Sequence, residues 1–413
     1  MIRYYIIVLL VILLSSCEKN QDNNDSILKF YGDALEDIGY SVTGVEDGYI
    51  IAGQLTEVAR IGTNYIDETK SVRKMGIIRT DLSGNTVWKK SFGGKLPAGG
   101  SKVIKLDDGS IICVGYVIDT VTLFKDIFVV KTDAQGTVKK EKIYKTDKNQ
   151  YGTDIIKTPE GFIILGTTDV AREPLTESTG NTAGKKDILL LRVDSNLEPI
   201  GSSTFVGFPG NDEGFAIKPD IAGGYIVVGN TDRSDQPSAT QSGNNIFLLR
   251  VNADGSTIEP RILGGTPDEY AADIEVLSNG YLVAGTVGVE GFDQRGYIWR
   301  LSDNIYAAPI SEGKLKINST TITDGPFSIK AICSFKTSSI VMAGQYGTGS
   351  SAKLLIFVTD TDGNQIVGKQ VINGGTGLQV ANDVVSDADG NIITVGKNSY
   401  EKNSMISLFK FRF

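Results

Sequence analysis

The chain contains no histidine in 413 residues. That removes Ser-His-Asp triads, Cys-His dyads and the commonest zinc ligand from consideration. Cysteine is nearly as scarce. Cys17, Cys113 and Cys333 lie far apart, too few and too scattered for a disulfide framework. Cys113 and Cys333 fall inside strand-like runs and are expected to be free and buried. Basic residues do not predominate: 41 Lys and Arg stand against 49 Asp and Glu, spread without pattern, for a formal charge of −8. That balance argues against a nucleic-acid partner, which wants a basic face. There is no amphipathic helical pattern and no phosphate-cradling glycine loop leading into a helix. No loop has the dense alternating oxygens of a dedicated cation site, so neither a metal nor a cofactor is expected.

Glycine, by contrast, is abundant: 48 residues against 11 prolines. The stretch Leu263 to Leu301 shows how it is used. A glycine-acid turn, Gly264-Gly265-Thr266-Pro267-Asp268-Glu269-Tyr270, leads into a short segment ending at Leu277. The turn Ser278-Asn279-Gly280 follows, then Tyr281-Leu282-Val283-Ala284 closed by Gly285, and later Gly296 to Leu301. Such short β-branched and aromatic runs between Gly, Asn and Asp read as strands. The closing glycine recurs at Gly53, Gly115, Gly166, Gly229, Gly285, Gly344 and Gly396, at intervals of 51 to 63 residues. A tight turn precedes nearly every run, as in Asp47-Gly48, Asp108-Gly109 and Asp389-Gly390, and such pairs supply the positive φ of two-residue hairpins. A second turn, such as Asp81-Leu82-Ser83-Gly84 or Asp360-Thr361-Asp362-Gly363, separates a third strand from a fourth. Four strands per unit and seven units predict an all-β, seven-bladed β-propeller of four-stranded antiparallel blades. The seventh repeat stops at its third strand, Met405 to Phe413. Leu28-Lys29-Phe30-Tyr31-Gly32 matches the missing fourth and is expected to complete that blade and close the ring.

The amino terminus reads separately. Arg3 and the nine apolar residues Ile6 to Leu14 are too short to span a bilayer of ~30 Å but suit a secretory signal. Leu14-Ser15-Ser16-Cys17 is similar to a bacterial lipobox, which makes residues 1–16 a lipoprotein signal peptide and Cys17 an acylation site. Residues 17–27 then form a polar tether, and residues 28–413 the propeller. The acidic residues after Cys17 resemble the surface-export signal of Bacteroidetes lipoproteins, and Asp25-Ser26-Ile27 resembles that phylum's O-glycosylation site. The implied location is the outer membrane, exposed at the cell surface, with the membrane engaged only through lipid.

The run from Gly264-Gly265 to Asp273, followed by Asn279 to Gly285, resembles the bacterial seven-bladed β-propeller repeat family, whose members are mostly exported. The resemblance covers residues 28–413 and specifies fold far better than function. In a propeller, with strands A to D counted from the axis, the D–A and B–C connections share one face. Here the B–C inserts are long: Gln54 to Met75, Thr167 to Lys186 and Asn230 to Asn245. Long polar loops on a rigid scaffold are where function usually sits.

Two groups of site residues follow. On the D–A face, Tyr151, Asp212, Glu213, Asp268, Glu269 and Tyr270 are candidate ligand contacts. Along the axis, aligning the inner strands places Ser41, Lys102, Asp154, Ala216, Asp273, Lys330 and Asp383 at one level. The charged members form a ring in which Lys102 neighbours Asp154, and Lys330 lies between Asp273 and Asp383. Paired carboxylates could serve a glycosidase or lyase, but alternating signs favour mutual neutralisation of buried charge. The expectation is a monomeric, non-catalytic binding or scaffold protein for a glycan, peptide or surface-protein partner, with a carboxylate-dependent glycosidase or lyase as the alternative.

Overall fold

The computed structural model describes residues 26–32, 35–61, 65–169, 186–208, 210–232, 243–258, 260–265, 268–288, 293–316, 325–373, 377–400 and 403–413. Cys17, the expected signal peptide and most of the expected tether lie outside these residues. The described chain folds into seven antiparallel four-stranded sheets, and its one helical element is the short 3-10 turn Gly349–Ser351. Blade one runs outward from the axis through Ile38–Val45, Gly48–Ile61, Tyr65–Asp81 and Thr86–Phe92. Blades two to six follow in the same order. Blade seven takes its inner three strands from Gln379–Ser386, Ile392–Tyr400 and Asn403–Phe411, and its outermost from Ile27–Tyr31 at the other end of the chain. The closing strand starts one residue earlier than its sequence match, with Ile27 opposite Lys410 and Tyr31 opposite Ile406.

Second and third strands read as unbroken apolar runs because both of their faces are covered. In blade one, Tyr49 and Ile51 pack with Ile393, Val395 and Leu408 of blade seven, while Ile50 and Ala52 pack with Cys113 and Phe128 of blade two. The same division repeats round the ring, giving an apolar cluster at each of the seven blade junctions. Cys113 is buried in such a cluster as expected, but Cys333 is only partly buried, because it lies on an inner strand beside the axis.

The closing glycines have one steric cause. Each inner strand carries a β-bulge where it passes that glycine, as between Gly39 and Ser41 opposite Gly53. The bulged backbone presses so closely that a Cβ on Gly53 would meet Ile38 O at 2.0 Å, and on Gly115 would meet Gly99 O at 2.0 Å. Only glycine admits that approach, and the bulge re-aims the extra residue. In two turns another residue takes the left-handed position that glycine holds elsewhere: Leu197 in blade three (φ 65°) and Lys336 in blade six (φ 54°). In sequence these turns read Asp194-Ser195-Asn196-Leu197 and Lys336-Thr337-Ser338-Ser339, without the glycine of most other repeats.

The blade-one insert is a hairpin, continuing from Gln54 opposite Met75 out to Ile61 opposite Tyr65. Polar residues there still alternate, which hid the strand period behind a loop-like composition. The central parts of the blade-three and blade-four inserts, 170–185 and 233–242, lie outside the described residues.

Ring closure rests on Ile27–Tyr31. Its ladder covers the free edge of blade seven, Tyr31 joins the junction between blades seven and one, and the Tyr31 hydroxyl donates to Gly84 O at 2.7 Å. Deleting Leu28 to Gly32 should cost several kcal/mol of a total of ~5–15 kcal/mol. Chemical denaturation reads this directly, and an unmoved midpoint would mean that the ring is held closed elsewhere.

Candidate functional site

The bulges build a cavity. In all seven blades the extra residue turns toward the axis at the D–A face: Tyr40, Ser101, Thr153, Phe215, Ala272, Lys330 and Asn382. A second tier comes from residues just beyond the closing glycines and their partners, including Tyr116, Asn230, Tyr151 and the pair Tyr270–Thr286. Together they enclose about 640 Å³, within the usual range for a small-molecule site. Five aromatic rings line it, and no Asp or Glu is among its described lining residues.

Two expected ligand contacts, Tyr151 and Tyr270, therefore share one wall system. Glu213 stands behind Tyr151, whose hydroxyl is 3.5 Å from Glu213 Oε1, and the same oxygen takes the Lys186 ammonium. Lys125 Nζ lies over two ring faces, 4.5 Å from the centroid of Tyr116 and 5.2 Å from that of Tyr151. Burial, and then the nearby Lys186, hold the Lys125 pKa below the ordinary lysine value. Burial likewise pushes up the phenols of Tyr40, Tyr116 and Tyr151, with neighbouring Glu213 adding to the effect at Tyr151. These rings stay protonated: stacking surfaces and hydrogen-bond donors, poor nucleophiles.

The other acidic candidates are not brought to the cavity. Asp212 is fully buried and accepts Phe208 N–H at 2.7 Å. Glu269 accepts Gly265 N–H at 3.1 Å, and Asp268 accepts Asn244 N–H at 2.8 Å. All three hold connections at the D–A face, each by accepting a loop amide.

Below the bulges lies the axial level. Its register is fixed by the residues facing the second strands: Ser41, Lys102, Asp154, Ala216, Asp273, Ala331 and Asp383. Lys330 is thus corrected. It is the bulge residue of blade six, exposed at the cavity wall, and Ala331 occupies the level assigned to it. The A–B connection differs in length by one residue between blades, and blade six lacks the Asp-Gly turn that would have marked it.

The three carboxylates at this level are joined to backbone. Asp154 accepts the next amide, Ile155 N–H, at 2.8 Å and Ile217 N–H of the following blade at 2.9 Å. Asp273 does the same with Ile274 (2.8 Å) and Ile332 (3.2 Å), and Asp383 with Val384 (2.9 Å) and Val42 (3.0 Å). Ser41 Oγ accepts Val103 N–H at 3.3 Å across the next junction. Neutralisation also differs from the expected pairing. Lys102 Nζ is 3.3 Å from Asp383 Oδ2, while Asp273 is 3.8 Å from Lys218, a lysine one inward position further along blade four. Burial works against the Lys102 ammonium, but Asp383, Asp154 and Asp273 outweigh it and hold its pKa above the lysine norm. Burial pushes the Asp154 pKa up, with Lys102 and Lys218 opposing. Among the described residues no group of three or more Cys, Asp or Glu is placed to hold a metal ion.

Sequence reasoning missed Tyr40, Tyr116, Lys125, Phe215 and the cavity role of Lys330. The available signal was positional: the residue before the axial level, and the residue after each closing glycine.

Fold and site define the class: a seven-bladed β-propeller with an axial cavity on its insert-bearing face. No protein-family model matches the chain, and no curated protein matches it in sequence. Solved structures do match. A protein of unknown function from Dyadobacter fermentans is 12% identical over 78% of this chain and 96% of its own, with a TM-score of 0.50. A puromycin hydrolase mutant complexed with PGG is 12% identical over 87% of this chain, with a TM-score of 0.51; this chain spans only 50% of its length. Hydrazine synthase of Kuenenia stuttgartiensis matches 91% of this chain and 96% of its own at 11% identity, with a TM-score of 0.49. At such identities the likeness is one of fold alone.

The buried acid Asp212 makes stability pH-dependent. Burial is the main cause raising its pKa to about 7, with Asp187 and Asp232 adding to it, against roughly 3.9 in the unfolded chain. The folded protein therefore keeps a proton that the unfolded chain loses between those values, so this group lowers stability as pH rises from about 4 to about 7. Asp212→Asn should flatten the fall in melting temperature between pH 5 and pH 8, an effect on the order of a few kcal/mol. A slope equal to the parent's would show that this carboxyl is already ionised at pH 5.

Proposed function

We propose that this chain is a lipid-anchored, exported β-propeller that binds a ligand at its axial cavity and performs no covalent chemistry there. The observation that supports the reading is the cavity wall. It draws side chains from all seven blades, carries five aromatic rings, and has no carboxylate among its described lining residues. A carboxylate-dependent glycosidase or lyase would need paired acids facing a substrate, whereas Asp154, Asp273 and Asp383 sit below the cavity with both oxygens engaged by backbone amides.

The anchor reading rests on Cys17 in the lipobox-like Leu14-Ser15-Ser16-Cys17 and on chain direction. Ile27 starts the outer strand of blade seven at the tight-turn face, where Lys29 Nζ donates to Asn85 at 3.1 Å beside the C–D turn of blade one. The tether from Cys17 to Ser26 reaches at most about 34 Å when fully extended. In this reading the tight turns face the membrane, and the cavity and the blade-one hairpin face outward.

Cys17→Ala should move the protein from the membrane fraction to the soluble exported fraction with its melting temperature unchanged. Retention of the variant in membranes would refute the anchor.

A further inference from the structure

The cavity is positively biased in a protein of negative net charge. Lys125 stands on the wall at blade two, sandwiched between ring faces, and Lys330 on the wall at blade six, across the axis. Neither has an ion-pair partner among the described residues. Glu213, behind Tyr151, is engaged by Lys186. A half-buried ammonium facing only aromatic rings is under-neutralised, and an anion brought beside it gains more than at the open surface.

A second observation also points to a ligand. Ser328 is only 3% exposed, lines the same cavity two residues before Lys330, and its hydroxyl has no hydrogen-bond partner among the described residues. Buried hydroxyls are ordinarily satisfied, and among the described unpartnered hydroxyls Ser328 is the one whose residue lines this cavity. Elsewhere the wall combines ring faces with amide and hydroxyl groups such as Gln345, Ser101 and Thr153. Groups that both donate and accept, interleaved with flat apolar faces, match a ring-shaped polyol, whose hydroxyls do both and whose C–H faces stack on aromatics. An extended peptide is recognised differently, through a run of main-chain bonds along one sheet edge. Here seven inner strands converge end-on, and each is interrupted by a bulge at the cavity.

The geometry points to an anionic saccharide, carboxylated or sulfated, as the ligand of the axial cavity, with its sugar ring among Tyr116, Tyr151 and Tyr270 and its charge met by Lys125 or Lys330. This rests on the binding reading above and adds the ligand class.

The test is calorimetric titration of the full chain in detergent. The panel contains uronate, sialylated and sulfated oligosaccharides, each beside its uncharged counterpart, with hexaglutamate as an acidic peptide. At least one acidic saccharide should bind about tenfold or more tightly than its neutral partner, and that preference should shrink as salt rises. Lys330→Met, at an exposed position, should leave melting unchanged and lower affinity for the acidic sugar toward that of the neutral one. Lys125→Met should do the same. Tyr151→Ala should weaken both sugars. The uronate, sialyl and sulfate arms identify which acidic group is read. Equal binding of charged and neutral sugars overturns the ligand class and leaves the binding reading standing. Binding of hexaglutamate alone overturns the saccharide. If no member of the panel binds at millimolar concentration, the ligand class and the binding reading both fall.

Discussion

The structure depends on a carboxylate that serves two blades at once. On the inner strands of blades three, five and seven, an aspartate takes the amide of its own next residue and the equivalent amide of the following blade. Inner strands are sheet edges, and their unpaired amides converge on the axis. An acceptor with two oxygens satisfies one amide on each side of a junction and fixes the height at which neighbouring blades meet. Charge-assisted bonds of this kind are stronger than neutral ones. The charge is then compensated locally by Lys102 and Lys218, so the axis resembles a buried ionic network more than a reaction centre.

What lies above that level follows from it. Once the inner strands are held in register, the bulge over each closing glycine throws its extra residue into the axis, and seven such residues make a rim. The apolar clusters do the remaining work by filling each junction, with Ile50 and Ala52 turned one way and Tyr49 and Ile51 the other. Scaffold and cavity are thus made by the same glycine: its missing Cβ permits the bulge, and the bulge supplies the wall.

The fold was legible for this reason. A glycine that cannot be replaced without striking Ile38 O or Gly99 O recurs at each blade, and two-residue turns mark the strands on either side. The exchange of Ile27–Tyr31 into blade seven was legible too, from its likeness to other outer strands. The site was less so. The A–B connection differs by one residue between blades and blade six has no Asp-Gly turn to mark it, so counting along the chain lost register there and put Lys330 where Ala331 stands. Lys125 and Tyr116 come from the paired second and third strands of blade two, but nothing in their local pattern shows that an ammonium will lie 4.5 Å from a ring centre. Asp212 and Glu269 were visible as acids, but the inward loop amides that hold them appear only in three dimensions.

The claim that the axial aspartates belong to the scaffold and not to chemistry meets its most direct test in thermal melting of Asp154→Asn, Asp273→Asn and Asp383→Asn, measured beside ligand binding and glycoside hydrolysis. Asparagine keeps one acceptor oxygen and sets an N–H against a backbone N–H. Each variant should lose about 1.5–3 kcal/mol, as for a hydrogen bond to a charged group, and melt a few degrees lower, with cavity binding retained. A variant that melts like the parent but has lost binding or a hydrolytic activity would contradict the account.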